Sequence, residues 1–328
     1  MTGLAFDSIE RPQSTIEAPR RAAPARRGGS FVANVVRYRW LFFMLLPGLT
    51  YFALFRFWPM YGAQIAFKNY IPFLGISKSE WVGFDHFTDF FSNPDFPRLL
   101  KNTLIIAALF LFVAFPLTII LALLLNELRR QILKRTVQTL VYIPHFLSWT
   151  VVVSLTTLLF AVGTGPLTTL FNNVLGTDTN YLTAPDWFRP LILLQAIWKN
   201  TGWGTIIFLA ALAGVDQEQY EAAVIDGAGR WARTWHITLP AIRPIIIIML
   251  ILQTGQILDT GFEQIYLMTN PLNRSVAEVF DTYVYFVGIQ QGAYSYSTAV
   301  GLAKAIVGLI LIFGTNWLAK RFGQRGIF

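Results

Sequence analysis

Four polar side chains, Gln253, Gln256, Asp259 and Glu263, lie inside one of the most apolar stretches of the chain. Continued as a helix, the steps of three and four residues from Gln256 to Asp259 to Glu263 place these three on one face. Two cations, Lys199 and Lys304, sit within other apolar stretches. A charge surrounded by hydrocarbon costs several kcal/mol, as an order of magnitude, unless it is paired or wet. Three readings of the acidic face follow. It lines a solute path or meets another subunit, it pairs within the chain with Lys199 or Lys304, or it lies at the membrane–water boundary. Carboxylates on a path disfavour an acidic solute unless lysines compensate.

Other chemistries lack the residues they need. His86, His145 and His236 are far apart and form no HExxH pattern, so each reads as an interface or docking residue rather than a metal ligand. No GxxxxGK[ST] loop is present, so the chain is not itself an ATPase. Cysteine is absent, which removes disulfides and thiolate-bound metals. No Ser-His-Asp or paired-carboxylate arrangement calls for a reaction at this chain.

The elements that must carry these residues are membrane helices. Hydrophobic residues make up 54% of the 328 and charged residues 13%, against about a quarter charged in ordinary soluble domains. The apolar excess falls in blocks near the roughly 20 residues that cross a bilayer. Six spans are predicted, at about 41–58, 103–125, 137–160, 188–213, 244–268 and 294–318. The first is kept as an uncleaved anchor, and Pro116 is expected to bend the second. Residues 1–36 read as a disordered basic tail ahead of a transmembrane domain over 37–328. Residues 59–100 read as short helices at the interface, with a buried hairpin as the alternative.

Net charge is +8, but the basic residues cap apolar blocks instead of clustering on one face, which points away from nucleic acid. With both termini in the cytoplasm, the inside segments hold seventeen Lys and Arg and the outside segments seven. That bias is the expected one, and it places the 214–243 loop in the cytoplasm.

This loop reads GVDQEQYEAAVIDGAGRWARTWHITLPAIRP. Asp216 is placed to cap a short helix, with Gln219 in the capping-box position. Gly227 and Gly229 interrupt it, a second short helix is expected from Arg230 to Thr238, and Leu239-Pro240 is expected to stop that one. Thirty residues exceed what a mere connector needs. The residues alone allow a docking element for a cytoplasmic partner, a disordered linker or an interface-lying helix.

Glu221-Ala222-Ala223, Gly227 six residues after the glutamate, then Ile237 and Leu239-Pro240 resemble the EAA motif of ABC importer permeases. By that resemblance the 214–240 loop forms coupling helices seated in an ATP-binding subunit. Glu221 pairs with a basic residue there, Gly227 allows the bend, and Arg230 and Arg233 join the contact. The resemblance covers about 40–328. It implies an all-α polytopic membrane protein with the six helices of the type I importer permease fold, working by alternating access. It implies a second homologous permease, two cytoplasmic ATP-binding subunits that use ATP and Mg2+, an extracytoplasmic solute-binding protein and a location in the bacterial inner membrane. This chain itself binds no cofactor.

Trp81-Val82-Gly83-Phe84 and Tyr142-Ile143-Pro144 resemble the sugar-importing branch of that family. Phe67-Lys68-Asn69-Tyr70, Thr269-Asn270-Pro271-Leu272 and Asp281-Thr282-Tyr283-Val284-Tyr285 resemble permeases for polysaccharide fragments, acidic alginate-like ones included. Neutral or aldouronate oligosaccharides are alternative cargoes, and an ion-coupled secondary transporter is the rival mechanism. Tyr283, Tyr285, Tyr294 and Tyr296 are candidates to stack on sugar rings.

Overall fold

The computed structural model describes residues 37–321 apart from 257 and 260. The predicted basic tail over 1–36 lies outside the described residues. The chain divides into two units, Met1–Met60 and Tyr61–Phe328. Among the described residues every long element is a helix, and the sole sheet has two strands of two residues each.

In the first unit, α1 (Arg39–Phe52) contains Pro47 and buries none of its residues. Leu45, Leu49 and Phe52 are all exposed. Lipid chains solvate such a surface as well as protein does, so an unburied apolar helix is stable in a bilayer.

The second unit opens on a small platform of short elements. Lys68–Asn69 (β1) pairs antiparallel with Glu80–Trp81 (β2), Lys68 opposite Trp81. Phe67 stacks on Trp81 with centroids 5.7 Å apart. Gly83 follows at φ +66°, a conformation that glycine adopts without strain. The hairpin is not the buried one of the alternative reading, since Asn69, Glu80 and Trp81 are exposed, and a short helix, α2 (Asp85–Ser92), follows it.

Next come α3 (Phe96–Leu109) and α4 (Phe115–Asn126), joined by a π turn at Phe110–Ala114 into one 31-residue apolar helix. It begins seven residues earlier than the predicted span. Pro116 stands in the first turn of α4, just past the widened turn, where a missing N–H is tolerated.

The predicted span over 137–160 is a bent pair of helices. α5 (Gln131–Tyr142) and α6 (Trp149–Leu159) meet at a 100° bend. Pro144 in the intervening tight turn ends the first helix, and Ser148 caps the second by accepting from the Val151 N–H. After α7 (Pro166–Leu175) comes α8 (Pro185–Ala213), 29 residues long. α8 is the packed centre. At Gly202 a side chain would run into the Val141 carbonyl of α5, and at Gly204 into Thr118 of α4.

Then come α9 (Gln217–Ile225) and α10 (Arg230–Arg233). The expected stop at Leu239-Pro240 is also corrected. A π turn over Thr234–Thr238 leads directly into α11 (Leu239–Gly255), making one helix from Arg230 to Gly255. The widened turn absorbs Pro240 near its start, and Thr238 Oγ1 donates back to the Arg233 carbonyl at 3.3 Å.

The predicted span over 244–268 is broken as well. α11 ends before Gln256, and α12 (Phe262–Met268) starts after Gly261 at φ +81°. Gln256, Asp259 and Glu263 therefore do not share one helical face. α13 (Arg274–Ala277), α14 (Phe280–Tyr285) and the 28-residue α15 (Tyr294–Arg321) complete the chain.

Among the described residues, four helices are long and apolar enough to cross a membrane: Arg39–Phe67, Phe96–Asn126, Arg230–Gly255 and Tyr294–Arg321. The bent α5–α6 pair makes a fifth if counted as one span. α8 is long enough but carries Gln195, Lys199 and Asn200 mid-helix, because its side chains face protein more than lipid. The fold is thus an all-α polytopic membrane fold.

Candidate functional site

The polar residues at membrane depth do three different things. Gln253, Gln256 and Asp259 line a cleft of about 530 Å³, together with Thr118, Asn200 and Gln264. The cleft lies among α4, α8, α11 and the start of α12. Gln264 is buried and donates to the Ile192 carbonyl at 2.7 Å and to Gln195 Oε1 at 2.8 Å. Gln195 in turn donates to Thr156 Oγ1 at 2.8 Å. This amide ladder ties α12, α8 and α6 together and satisfies each buried group, as a dry interior requires.

Lys199 is not on the cleft wall. It is buried, and its ammonium donates to the carbonyls of His145, at 2.7 Å, and Leu147. The bend between α5 and α6 leaves these carbonyls without helical partners, and the lysine supplies them. The indole of Trp149 lies 5.5 Å away. Lys199 thus serves the backbone of the bend and forms no salt bridge among the described residues.

Lys304 takes the carboxylates instead. From the middle of α15 it donates to Asp259 Oδ1 at 2.5 Å and to Asp281 Oδ1 on α14. Of the sequence alternatives, pairing within the chain holds for Asp259. Glu263 is exposed and makes no salt bridge among the described residues.

The candidate sugar-stacking tyrosines are engaged elsewhere. Tyr283 is buried against Phe90, Phe280 and Val300, and its hydroxyl is 3.3 Å from that of Tyr296. Burial pushes the Tyr283 phenol up, and the hydrogen bond to Tyr296 adds to that. Asn93 donates to both hydroxyls. Tyr285 packs on Phe262 and Tyr266, and Tyr294 lies edge-on to Tyr70. None of the four lines the 530 Å³ cleft.

Sequence reasoning missed a polar clasp around Glu278. Glu278 is buried and accepts from Arg98 at 2.8 Å and Arg274 at 2.6 Å. Asn102 donates to the Ser275 and Glu278 carbonyls and accepts from Arg189 at 2.9 Å. Asn270 and Asn273 fold their turn through reciprocal bonds and donate to the Leu182 carbonyl. The Thr269-Asn270-Pro271-Leu272 stretch was the available signal, since Asn and Pro so spaced specify a side-chain-closed turn.

The 214–240 loop is an ordered helical hairpin. Asp216 caps α9 by accepting from the Glu218 N–H at 3.0 Å, without a reciprocal bond from Gln219. At the other end the Gly227 N–H donates to the Val224 carbonyl and the Ala228 N–H to the Ala223 carbonyl, at 3.0 and 2.8 Å. That pair of bonds is a Schellman closure, which needs a left-handed residue after the helix. Gly227 supplies it at φ +76°. Tyr220 on α9 reaches across to Thr238 at 2.9 Å, locking the two arms.

The far side of the hairpin is bare. Glu221, Ala222, Arg230 and Pro240 are exposed, Ile225 is 86% exposed and Trp231 83%. Ala223, Arg233, Ile237 and Leu239 are half-buried on the inner side. His236 Nδ1–H donates within its own helix to the Ala232 carbonyl, and His145 stacks on Trp203 at 4.6 Å. Among the described residues no three acidic or histidine side chains gather as metal ligands.

An all-α polytopic membrane fold with a polar cleft among its helices and a bare helical hairpin fits a transport permease. Residues 114–325 match the family described as binding-protein-dependent transport system inner membrane component. The chain belongs to this family and is an ABC importer permease subunit. It is 61% identical over 312 residues to Protein LplB of Bacillus subtilis (strain 168), covering 94% of this chain and 98% of that protein. It is 54% identical over 295 residues to the polygalacturonan/rhamnogalacturonan transport system permease protein YteP of the same organism, covering 90% and 92%.

Among solved structures it resembles a bacterial alginate ABC transporter crystallised with its alginate pentasaccharide-bound periplasmic protein. The TM-score is 0.84 at 36% identity, over 91% of this chain and 100% of that one. A second structure, of a bacterial ABC transporter involved in import of the acidic polysaccharide alginate, matches at 0.81 and 38% identity. As a permease of this family the chain has no ATPase or other catalytic role, and ATP and Mg2+ are used by separate ATPase subunits.

Proposed function

We propose that this chain is one of two homologous permeases that enclose a path for oligo- or polysaccharides, acidic ones included, across the bacterial inner membrane. A solute-binding protein outside delivers the cargo, and two ATP-binding subunits inside drive alternating access. The relatives that handle alginate and polygalacturonan support the cargo class. Six crossings follow if α8 and the bent α5–α6 pair are each counted as a span. The charge bias of the loops supports both termini in the cytoplasm.

The observation that carries the mechanism is the hairpin from Gln217 to Thr238, closed on itself by Gly227 and Tyr220 and bare on the opposite side. A rigid knob with exposed Glu221, Ile225, Arg230 and Trp231 suits a groove on an ATPase, and it is continuous with α11, which ends at the cleft. Movement of the knob therefore reaches the cleft through one helix. The test is Glu221→Ala, which should reduce the ATPase subunit retained on the purified permease and lower cargo-stimulated ATP hydrolysis. Retention and turnover equal to wild type would sink the docking role.

A further inference from the structure

The cations within the membrane domain are not equivalent. Lys199 is spent on two carbonyls and Arg189 on Asn102. Lys304 alone among these three is held by carboxylates, Asp259 and Asp281. The two acids differ in their setting. Asp281 sits on the packed α14 with its side chain 21% exposed, whereas the Asp259 side chain is 68% exposed and lines the 530 Å³ cleft. It stands at the break between α11 and α12, not within a helix. An ion pair to so exposed a partner is worth little. Lys304, at 14% exposure, cannot be stripped of all partners without a large desolvation cost.

We propose that Lys304 is the carboxylate-recognition residue of the path, and that a carboxylate of the passing saccharide replaces Asp259 on it. This rests on the acidic-saccharide reading above. Asp259 is the resident stand-in: it keeps the lysine charged and paired when the cleft is empty and swings into water when a uronate arrives. Asp281 remains bound throughout and fixes the ammonium in place. The exchange swaps one carboxylate for another, so the site's charge balance is kept and no buried ion is left alone. Neutral sugars bring no group that can make the exchange, so the device selects for acidic cargo.

The experiment uses the complete importer reconstituted in liposomes, at saturating loaded binding protein. Uptake is measured for a short polygalacturonan oligomer and for the same oligomer with its carboxyls methyl-esterified. Lys304→Gln should lower the acid-to-ester uptake ratio about tenfold and Lys304→Arg should restore most of it, a loss of the size expected for one charge-assisted contact. Asp259→Asn removes the competitor without emptying the lysine's other side, and should raise the ratio about fivefold. Because Asp259 is exposed, this variant keeps the test valid if Lys304→Gln fails to assemble. A ratio unchanged in Asp259→Asn, or lowered by it, overturns the exchange. So does Lys304→Gln slowing both oligomers equally, which would make the lysine a strut. If the wild-type importer takes up neither oligomer, the cargo reading fails instead, and the exchange falls with it.

Discussion

Gly227→Ala isolates one physical term in the hairpin from Gln217 to Thr238. The glycine holds φ +76°, and a methyl group added there meets nothing within 4 Å. No clash, cavity or lost contact complicates the change, so the effect is that of forcing an L-residue into the left-handed region. That costs about 1–2 kcal/mol, or a factor of roughly 5 to 30 in an equilibrium at RT near 0.6 kcal/mol. The two bonds that close α9, to the Val224 and Ala223 carbonyls, exist only in that conformation. If the ATPase subunit accepts only the closed hairpin, its dissociation constant should rise by about that factor. Titrating labelled ATPase subunit onto the permease in lipid nanodiscs reads the change directly. Gly227→Asn, whose side chain tolerates the left-handed region, should recover most of the loss. Binding of the alanine variant within twofold of wild type would refute the reasoning. An asparagine variant as weak as the alanine one would show that side-chain volume at the contact matters, not backbone conformation.

Two further outcomes concern the scaffold. Lys199→Met should destabilise the permease by about 2–4 kcal/mol, because two carbonyls at the α5–α6 bend lose a charged donor while the burial cost of the ammonium is relieved. Thermal unfolding in detergent measures it, and an unchanged midpoint would count against the lysine's role at the bend. Tyr220→Phe removes the bond to Thr238 and should cost about 1 kcal/mol, read as faster amide exchange across 217–225 with the spans unaffected. Exchange equal to wild type would mean the two arms are held together by other contacts.

Much of the 214–240 loop was legible from its residues because its structure is local. Asp216 before a helix, Gly227 after it and the small residues between them act within a few positions of each other, so spacing carries the information. The cap partner differed, Glu218 and not a Gln219 box, and Pro240 did not end the helix as its type suggests. A π turn five residues long moved the strain upstream, and nothing in the local sequence separates that from a break.

The membrane residues were less legible. Helical spacing put Gln256, Asp259 and Glu263 on one face, yet the chain leaves helical form at Gln256. Which lysine met which acid was also open. Lys199 and Lys304 look alike in sequence, each a single cation in an apolar block, and their fates depend on residues more than 20 positions away in each case.

By itself the sequence determined that the chain is a polytopic membrane protein and the family to which its long loop's motif belongs. These follow from composition and short-range spacing. Only the tertiary structure decided where helices break and how each buried charge is satisfied. At the α5–α6 bend a distant side chain, Lys199, meets the freed carbonyls. A lysine inside the protein needs distant acceptors to meet its ammonium, and for Lys304 these are the carboxylates of Asp259 and Asp281.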